Sequence, residues 1–377
     1  MKKNIIVIIL AILSCFAISP SASVKVVHNT RKEIDVCMGK IQLTLVRTWG
    51  GDEEEDENKF FKFPWDMVVD NKGTVYICDE SNHRIQVFDE NGKYLRTLGR
   101  RGNGPTDLLN PNALAFDIQG NLVISDSMNF RVQLLRPEGK YFDSFKCGNT
   151  RISSIKTAHK KNEILMYSHM KTFVSRKLLY VFDKKGKIIR EIGEYVDDSK
   201  EPGEASGISF TLDENDDIYT VHSSAPYLLK YSYSGDILLL ITFETPYEFQ
   251  KIQIDSINKS VIFEKGKKSF GGSTPAIDSV GRIFVVGPNK KITEEKRKPL
   301  SANSISKRGS GATYFIPPMD YGKTDLYRLL VFNPSGKIIA AAPLSVYLNK
   351  IYIHNDRLFL IDTFRAMCIY EYKMTFK

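Results

Sequence analysis

The chain has 377 residues and a formal net charge of +9 at neutral pH. That length exceeds what one hydrophobic core usually serves, so the sequence must encode either two domains or a closed array of repeats. Cys37, Cys78, Cys147 and Cys368 are far apart and lack CxxC or CxH spacing, which excludes a cysteine metal cage or a disulfide framework.

Lys2 and Lys3 precede an apolar run from Ile5 to Ile18, too short for a comfortable membrane span, which predicts an export signal over residues 1–23. Two exits are open. Ser21-Ala22-Ser23 offers small residues for signal-peptide cleavage, while Ile12-Leu13-Ser14-Cys15 resembles the lipobox of bacterial lipoproteins, in which Cys15 would be acylated and anchor the protein. Residues 24–40 read as a linker carrying His28, and residues 41–377 as the folded body, with inserts at about 242–273 and 288–325.

In the body, "DMVVD" is followed by the turn Asn71-Lys72-Gly73, then "TVYIC", a polar loop, "RIQVFD", the turn Glu90-Asn91-Gly92 and "KYLRTLG". Short β-rich runs between Gly and Asn turns predict antiparallel hairpins, because those residues tolerate positive φ. Asp117, Gly120, Asp126, Arg131 and Gly139 repeat Asp70, Gly73, Asp79, Arg84 and Gly92 at an offset of 47 residues, which is propeller-blade spacing. Weaker copies follow at Leu178 to Gly193, at Asp213 to Asp236, and, with an interruption, at Ala276 to Gly287 and Tyr327 to Ala341. A sixth copy, Arg357 to Tyr372, lacks its outer strand, whereas Ile41 to Gly51 supplies an orphan strand ahead of the first copy. The predicted fold is therefore all-β, a six-bladed β-propeller of four-stranded antiparallel blades, closed by the N-terminal strand joining the last blade. A solenoid is the alternative, but it would want a cap at each end.

Asp79, Asn82, Arg84, Ile85 and Gln86, and again Asp126, Asn129, Arg131, Val132 and Gln133, spell Asp-x-x-Asn-x-Arg-[IV]-Gln behind a Gly-rich connector. This resembles the NHL repeat in the first two blades and fades afterwards, where Leu178 and Tyr227 replace the Arg and His222 replaces the Asp. With the export signal, the chain is similar to the exported six-bladed propeller lipoproteins of gut bacteria. The resemblance implies an outer-membrane or periplasm-facing lipoprotein first, and a soluble periplasmic or secreted protein second.

The segments Gly50 to Phe63, Gly193 to Gly207, Thr242 to Ser273 and Pro288 to Asp325 all fall in connections on one face of such a propeller, while the Gly turns on the other stay tight. Elaborated loops on a rigid scaffold are the usual place of recognition. From Gln250 to Ala312 there are thirteen Lys/Arg against five Asp/Glu. Lys290, Lys291, Lys296, Arg297 and Lys298 thus form a candidate binding face for an acidic polymer, a sulfated glycan or anionic headgroups, or else mark a merely soluble loop. Nucleic acid is excluded as a partner by export and by the lack of interleaved aromatics. The acidic run Asp52 to Glu57 lacks the alternation of a Ca²⁺ loop.

Propeller enzymes of the peptide-amidating lyase, lactonase and phosphotriesterase types assemble metal sites from one residue per blade. Asp79, Asp126, His222 and Asp362 stand at equivalent or near-equivalent positions, with His83 close by, so His222, Asp79, Asp126 and His83 are the candidate ligands for Ca²⁺ or Zn²⁺ in an enzyme reading. The competing reading makes each Asp/Arg couple an intrablade salt bridge or turn cap. No HExxH or GxSxG occurs, and "GRRGNG" joins strands instead of opening a helix, so no catalytic residue is assigned. The leading expectation is a non-catalytic binding or scaffold module for an envelope protein, a peptide or an anionic glycan, without cofactor and touching the membrane only through its lipid. The alternatives are a metal-dependent lyase or hydrolase at the channel mouth and a structural subunit of an envelope assembly.

Overall fold

The computed structural model describes residues 24–51, 56–148, 150–168, 177–194, 208–222, 226–246, 252–255, 260–263, 274–290, 327–346, 348–363 and 366–377. The predicted signal over 1–23, including Cys15, lies outside them. Strand β1 (Lys25–Asn29), helix α1 (Arg31–Cys37) and strand β2 (Ile41–Gly50) come first. Blade 1 is β3 (Pro64–Val69), β4 (Val75–Asp79), β5 (Arg84–Phe88) and β6 (Tyr94–Leu98). Blade 2 is β7 (Pro111–Phe116), β8 (Leu122–Asp126), β9 (Arg131–Leu135) and β10 (Tyr141–Lys146), and blade 3 is β11 (Ser154–Thr157), β12 (Ile164–Tyr167), β13 (Lys177–Phe182) and β14 (Ile188–Glu194). Blade 4 comprises β15 (Ile208–Leu212), β16 (Ile218–His222), β17 (Tyr227–Tyr231) and β18 (Ile237–Phe243). A separate hairpin, β19 (Ile252–Asp255) with β20 (Ser260–Phe263), precedes blade 5, which is β21 (Ala276–Ile277), β22 (Ile283–Pro288), β23 (Tyr327–Phe332) and β24 (Ile338–Leu344). Blade 6 has β25 (Lys350–His354), β26 (Arg357–Asp362) and β27 (Cys368–Phe376).

The tight turns follow from one local device. Asp70 Oδ1 accepts from the backbone N–H groups of Lys72 and Thr74 at 2.8 and 2.9 Å, and Gly73 takes the positive φ of 81° that ends the turn. Asp89, Asp117, Asp183, Asp213, Asp278 and Asn333 repeat the bond to the residue two ahead. Alternating strands then bury residues on both faces, and six clusters of apolar side chains fill the spaces between consecutive blades around the full circle.

The circle is closed by β2, which pairs antiparallel with β27 from Ile41 opposite Phe376 to Gly50 opposite Cys368. This is the orphan strand in its expected place. Glu371, only 2% exposed, fastens the seam: it accepts from Trp49 Nε1 at 3.0 Å and pairs with Arg47 Nε at 3.1 Å and Arg357 Nε at 2.8 Å. Trp49 packs edge-on against Phe88 of blade 1, with ring centroids 5.2 Å apart.

Residues 24–40, read as a linker, are ordered elements instead. β1 adds to blade 4 in parallel alongside β18, and α1 packs over β24 of blade 5, so the N-terminal segment runs along the outside of two blades before β2 enters blade 6. His28 is held in β1, 2.8 Å from Thr242 Oγ1. The helix starts with a capping box between Thr30 and Glu33 and buries Ile34 and Cys37 between blades 4 and 5. All four described cysteines are buried thiols outside any disulfide. The segment matches no repeat copy, which hides its docking sites from a repeat-based reading.

If β2 holds the ring shut, Trp49→Ala should destabilise the protein by roughly 3–5 kcal/mol in urea unfolding, the usual range for emptying a large buried aromatic site. A change within error would show that the seam contributes little.

Candidate functional site

The repeated signature builds two nearly identical knots. Asp79, fully buried at the end of β4, accepts from Arg84 Nε at 2.7 Å, Asn82 Nδ2 at 2.9 Å and the Lys62 amide at 2.7 Å. Asp126 does the same with Arg131 Nε at 2.7 Å, Asn129 Nδ2 at 2.8 Å and the Leu109 amide at 2.6 Å. The arginines reach onward to the connector that enters the blade, Arg84 to the carbonyls of Glu57 and Phe60, and Arg131 to those of Asn103, Gly104 and Asp107. Gln86 and Gln133 add bonds to Asn58 and Asp107. The couple is thus an intrablade salt bridge that pins a loop, with the carboxylate oxygens occupied by donors.

The histidines sit apart from one another. His83 ends the short turn after β4 at a positive φ of 57°, and its Nδ1 accepts from the Asn110 amide at 3.1 Å, linking blade 1 to blade 2. Burial, followed by the nearby Arg101 and Lys62, lowers its pKa. His222 ends β16 and packs against Tyr227, ring centroids 4.9 Å apart, and burial pushes its pKa down to about 4. Asp362 accepts from the Ala366 amide at 3.2 Å. Among the described residues no three His, Cys, Asp or Glu side chains are grouped to share an ion, so the structure does not bring His222, Asp79, Asp126 and His83 together.

Of the basic candidates, Lys290 is exposed just past β22, and Lys291, Lys296, Arg297 and Lys298 lie outside the described residues. The base of this lobe is tied to the N-terminal segment by Arg31, which donates to the Asn289 carbonyl at 3.4 Å, and blade 5 is tied to blade 4 by the buried Arg328, which donates to the Glu244 carbonyl at 2.7 Å.

The central channel brings together polar groups outside that candidate set. Asp66, Ala113, Ser154, Ser209 and Lys350 pair with Cys78, Ser125, Tyr167, Val221 and Ile361 near the ends of the second strands, and therefore occupy one level of the inner strands. Lys350 Nζ lies 3.6 Å from Asp66 Oδ2, which also accepts from the Leu114 amide at 3.2 Å. On the face where the long connections emerge, Trp65, Ser154, Ser209, Thr274, Lys350 and Thr363 line a cavity of about 160 Å³. The signal was present in the sequence as charged residues within inner strands, "PWDMVV" and "NKIYIH", but these positions do not repeat and so escaped a search guided by repetition.

The NHL repeat profile matches residues 61–88, the first knot and its strands. The protein is a six-bladed propeller in which one segment, in blade 1, matches the NHL repeat. In sequence, the chain is 34% identical over 55 residues to Protein brain tumor of Drosophila melanogaster, which covers 15% of this chain and 5% of that protein. In structure, it is similar to a member of the DUF4221 family from Bacteroides vulgatus, with a TM-score of 0.59, 11% identity, and 89% and 99% of the two chains covered. It is also similar to an exported-protein candidate of Bacteroides fragilis, with a TM-score of 0.60, 11% identity, and 94% and 100% covered. A gluconolactonase from Xanthomonas campestris has a TM-score of 0.51 at 12% identity, covering 90% and 91%. At these identities the likeness is one of fold. Among the described residues no helix is long and apolar enough to cross a membrane.

Two outcomes follow. Asp126→Ala leaves the largely buried Arg131 without its carboxylate, and should cost about 3–5 kcal/mol in denaturant unfolding, as breaking a buried pair does; a metal site at Asp126 would instead lose a bound ion with little change in the metal-free protein's stability. His222 is neutral in the folded chain but takes up a proton near its ordinary 6.5 when unfolded. The unfolded state then binds more protons, so His222's contribution should weaken as pH falls from about 6.5 to about 4, and His222→Phe should flatten the stability profile across that window. An unchanged slope would contradict the assigned burial.

Proposed function

We propose that this propeller is an exported, envelope-associated binding module that holds a protein, peptide or glycan partner on its loop-bearing face without transforming it. The observation that carries this reading is the channel mouth: the Lys350–Asp66 pair sits among the hydroxyls of Ser154, Ser209, Thr274 and Thr363, in a hollow of about 160 Å³ opening toward the long connections. An ammonium already half-neutralised and a ring of hydroxyls suit recognition of polar or acidic groups by hydrogen bonding. The signature carboxylates support it too, since their oxygens are engaged by arginine, asparagine and backbone amides. Lys290 and the basic residues following it in the sequence would supply charge complementarity to such a partner. Export rests on the N-terminal apolar run, and Cys15 would anchor the chain by a lipid that Cys15→Ser should release into the soluble fraction.

Screening the purified protein on sulfated-glycan and acidic-peptide arrays should reveal a saturable ligand. Its affinity should fall at least tenfold in Lys350→Ala and in a variant neutralised at Lys290, Lys291, Lys296, Arg297 and Lys298, and should be indifferent to chelator. Stoichiometric Zn²⁺ or Ca²⁺ retained through dialysis, together with chelator-sensitive turnover of an ester, lactone or peptide, would overturn the binding reading in favour of a metal-dependent lyase or hydrolase.

A further inference from the structure

The opposite end of the channel, under the tight turns, holds a larger cavity of about 520 Å³. Its volume falls in the range of small-molecule sites, roughly 300–1,000 Å³. The hairpin registers place Val68, Ala115, Lys156, Thr211, Ala276 and Tyr352 at one level of the six inner strands, opposite Tyr76, Val123, Leu165, Tyr219, Phe284 and Phe359. Three blades therefore present methyl and isopropyl groups here and three present hydrogen-bond donors. Leu114, Leu212 and Ile277 extend the apolar wall.

The charges at this level do not balance. Lys156 is enclosed by protein yet reachable through the channel, and it makes no ion pair among the described residues. Asp66, one level away, is shared with Lys350 at 3.6 Å and with the Leu114 amide. Asp117, the carboxylate among the cavity's lining residues, is engaged by Asn121 Nδ2 at 2.8 Å and Lys184 Nζ at 3.6 Å. Desolvation lowers the Lys156 pKa, with Lys350 adding repulsion and Asp66 opposing it, so the enclosure already acts on its charge. The Tyr352 oxygen accepts from the Val69 amide at 3.2 Å, which leaves its own proton to donate.

We propose that this cavity binds a small monoanion with an apolar body, a medium-chain or aromatic carboxylate, whose charged end pairs with Lys156 and accepts from Tyr352 or Thr211 while its hydrocarbon lies among Val68, Ala115 and Ile277. An uncompensated ammonium on a partly apolar wall is what such a ligand completes, because a charge-assisted hydrogen bond in an enclosed site is stronger than in water. The site lies on the face away from the proposed partner surface and stands or falls independently of it.

Titration calorimetry with sodium octanoate and with uncharged 1-octanol tests the assignment. Octanoate should bind one site saturably, at least tenfold more weakly in Lys156→Met, with binding recovered in part by Lys156→Arg; octanol should be insensitive to the Lys156 substitutions. Ala115→Phe, which fills the cavity from the neighbouring blade without changing a charged residue, should abolish binding of both. Absence of saturable octanoate binding to the native chain, or equal affinity for the native, Lys156→Met and Ala115→Phe proteins, overturns the proposal.

Discussion

Everything in this molecule depends on a seam made by its two most distant paired strands. β2 and β27 pair from Ile41 to Gly50, and the buried Glu371 joins Trp49, Arg47 and Arg357 across or beside that pairing. A sheet with an unmatched edge would leave backbone donors and acceptors exposed and blade 6 free to hinge. With the seam shut, each of the six interblade clusters has a blade on both sides, and the inner strands are held at fixed levels around a common channel. The alignment of Asp66 with Lys350, from blades at opposite ends of the chain, exists only because the ring is closed.

The signature motif serves the same rigidity at a smaller scale. In each of the first two blades a buried aspartate gathers an arginine, an asparagine and a backbone amide, and the arginine passes the connection on to loop carbonyls. Each knot fixes where a connection leaves the scaffold, which is a condition for recognition without being recognition itself. Repetition therefore marks the parts that make blades, whereas the groups that differ from blade to blade, Asp66, Lys156, Thr211 and Lys350, are free to specify a ligand.

This division explains what the amino-acid sequence discloses. Blade count, tight turns, the closing strand and the Asp–Arg bridge all rest on local patterns that recur, so each copy supports the others. The N-terminal strand and helix gave no such support: β1 docks in parallel on β18, 214 residues away between His28 and Thr242, and α1 packs on blade 5 through Ile34 and Cys37. The β19–β20 hairpin likewise interrupts the repeat and reads as loop. The channel groups were visible as residues but not as a site, because their proximity comes from the curvature of the ring and from hairpin registers, and neither is written in the spacing of any one blade.

Hydrogen exchange measured by mass spectrometry on peptides covering Ile41–Gly50 and Cys368–Phe376 tests the central claim most directly, since a framed channel requires that this seam open only with the whole fold. The account predicts that both segments exchange as slowly as the central strands β8 and β9 of blade 2, and through the same cooperative opening. Fast exchange in Ile41–Gly50 while blade 2 stays protected would show a ring that opens at its seam, and would remove the fixed channel on which both proposed sites rest.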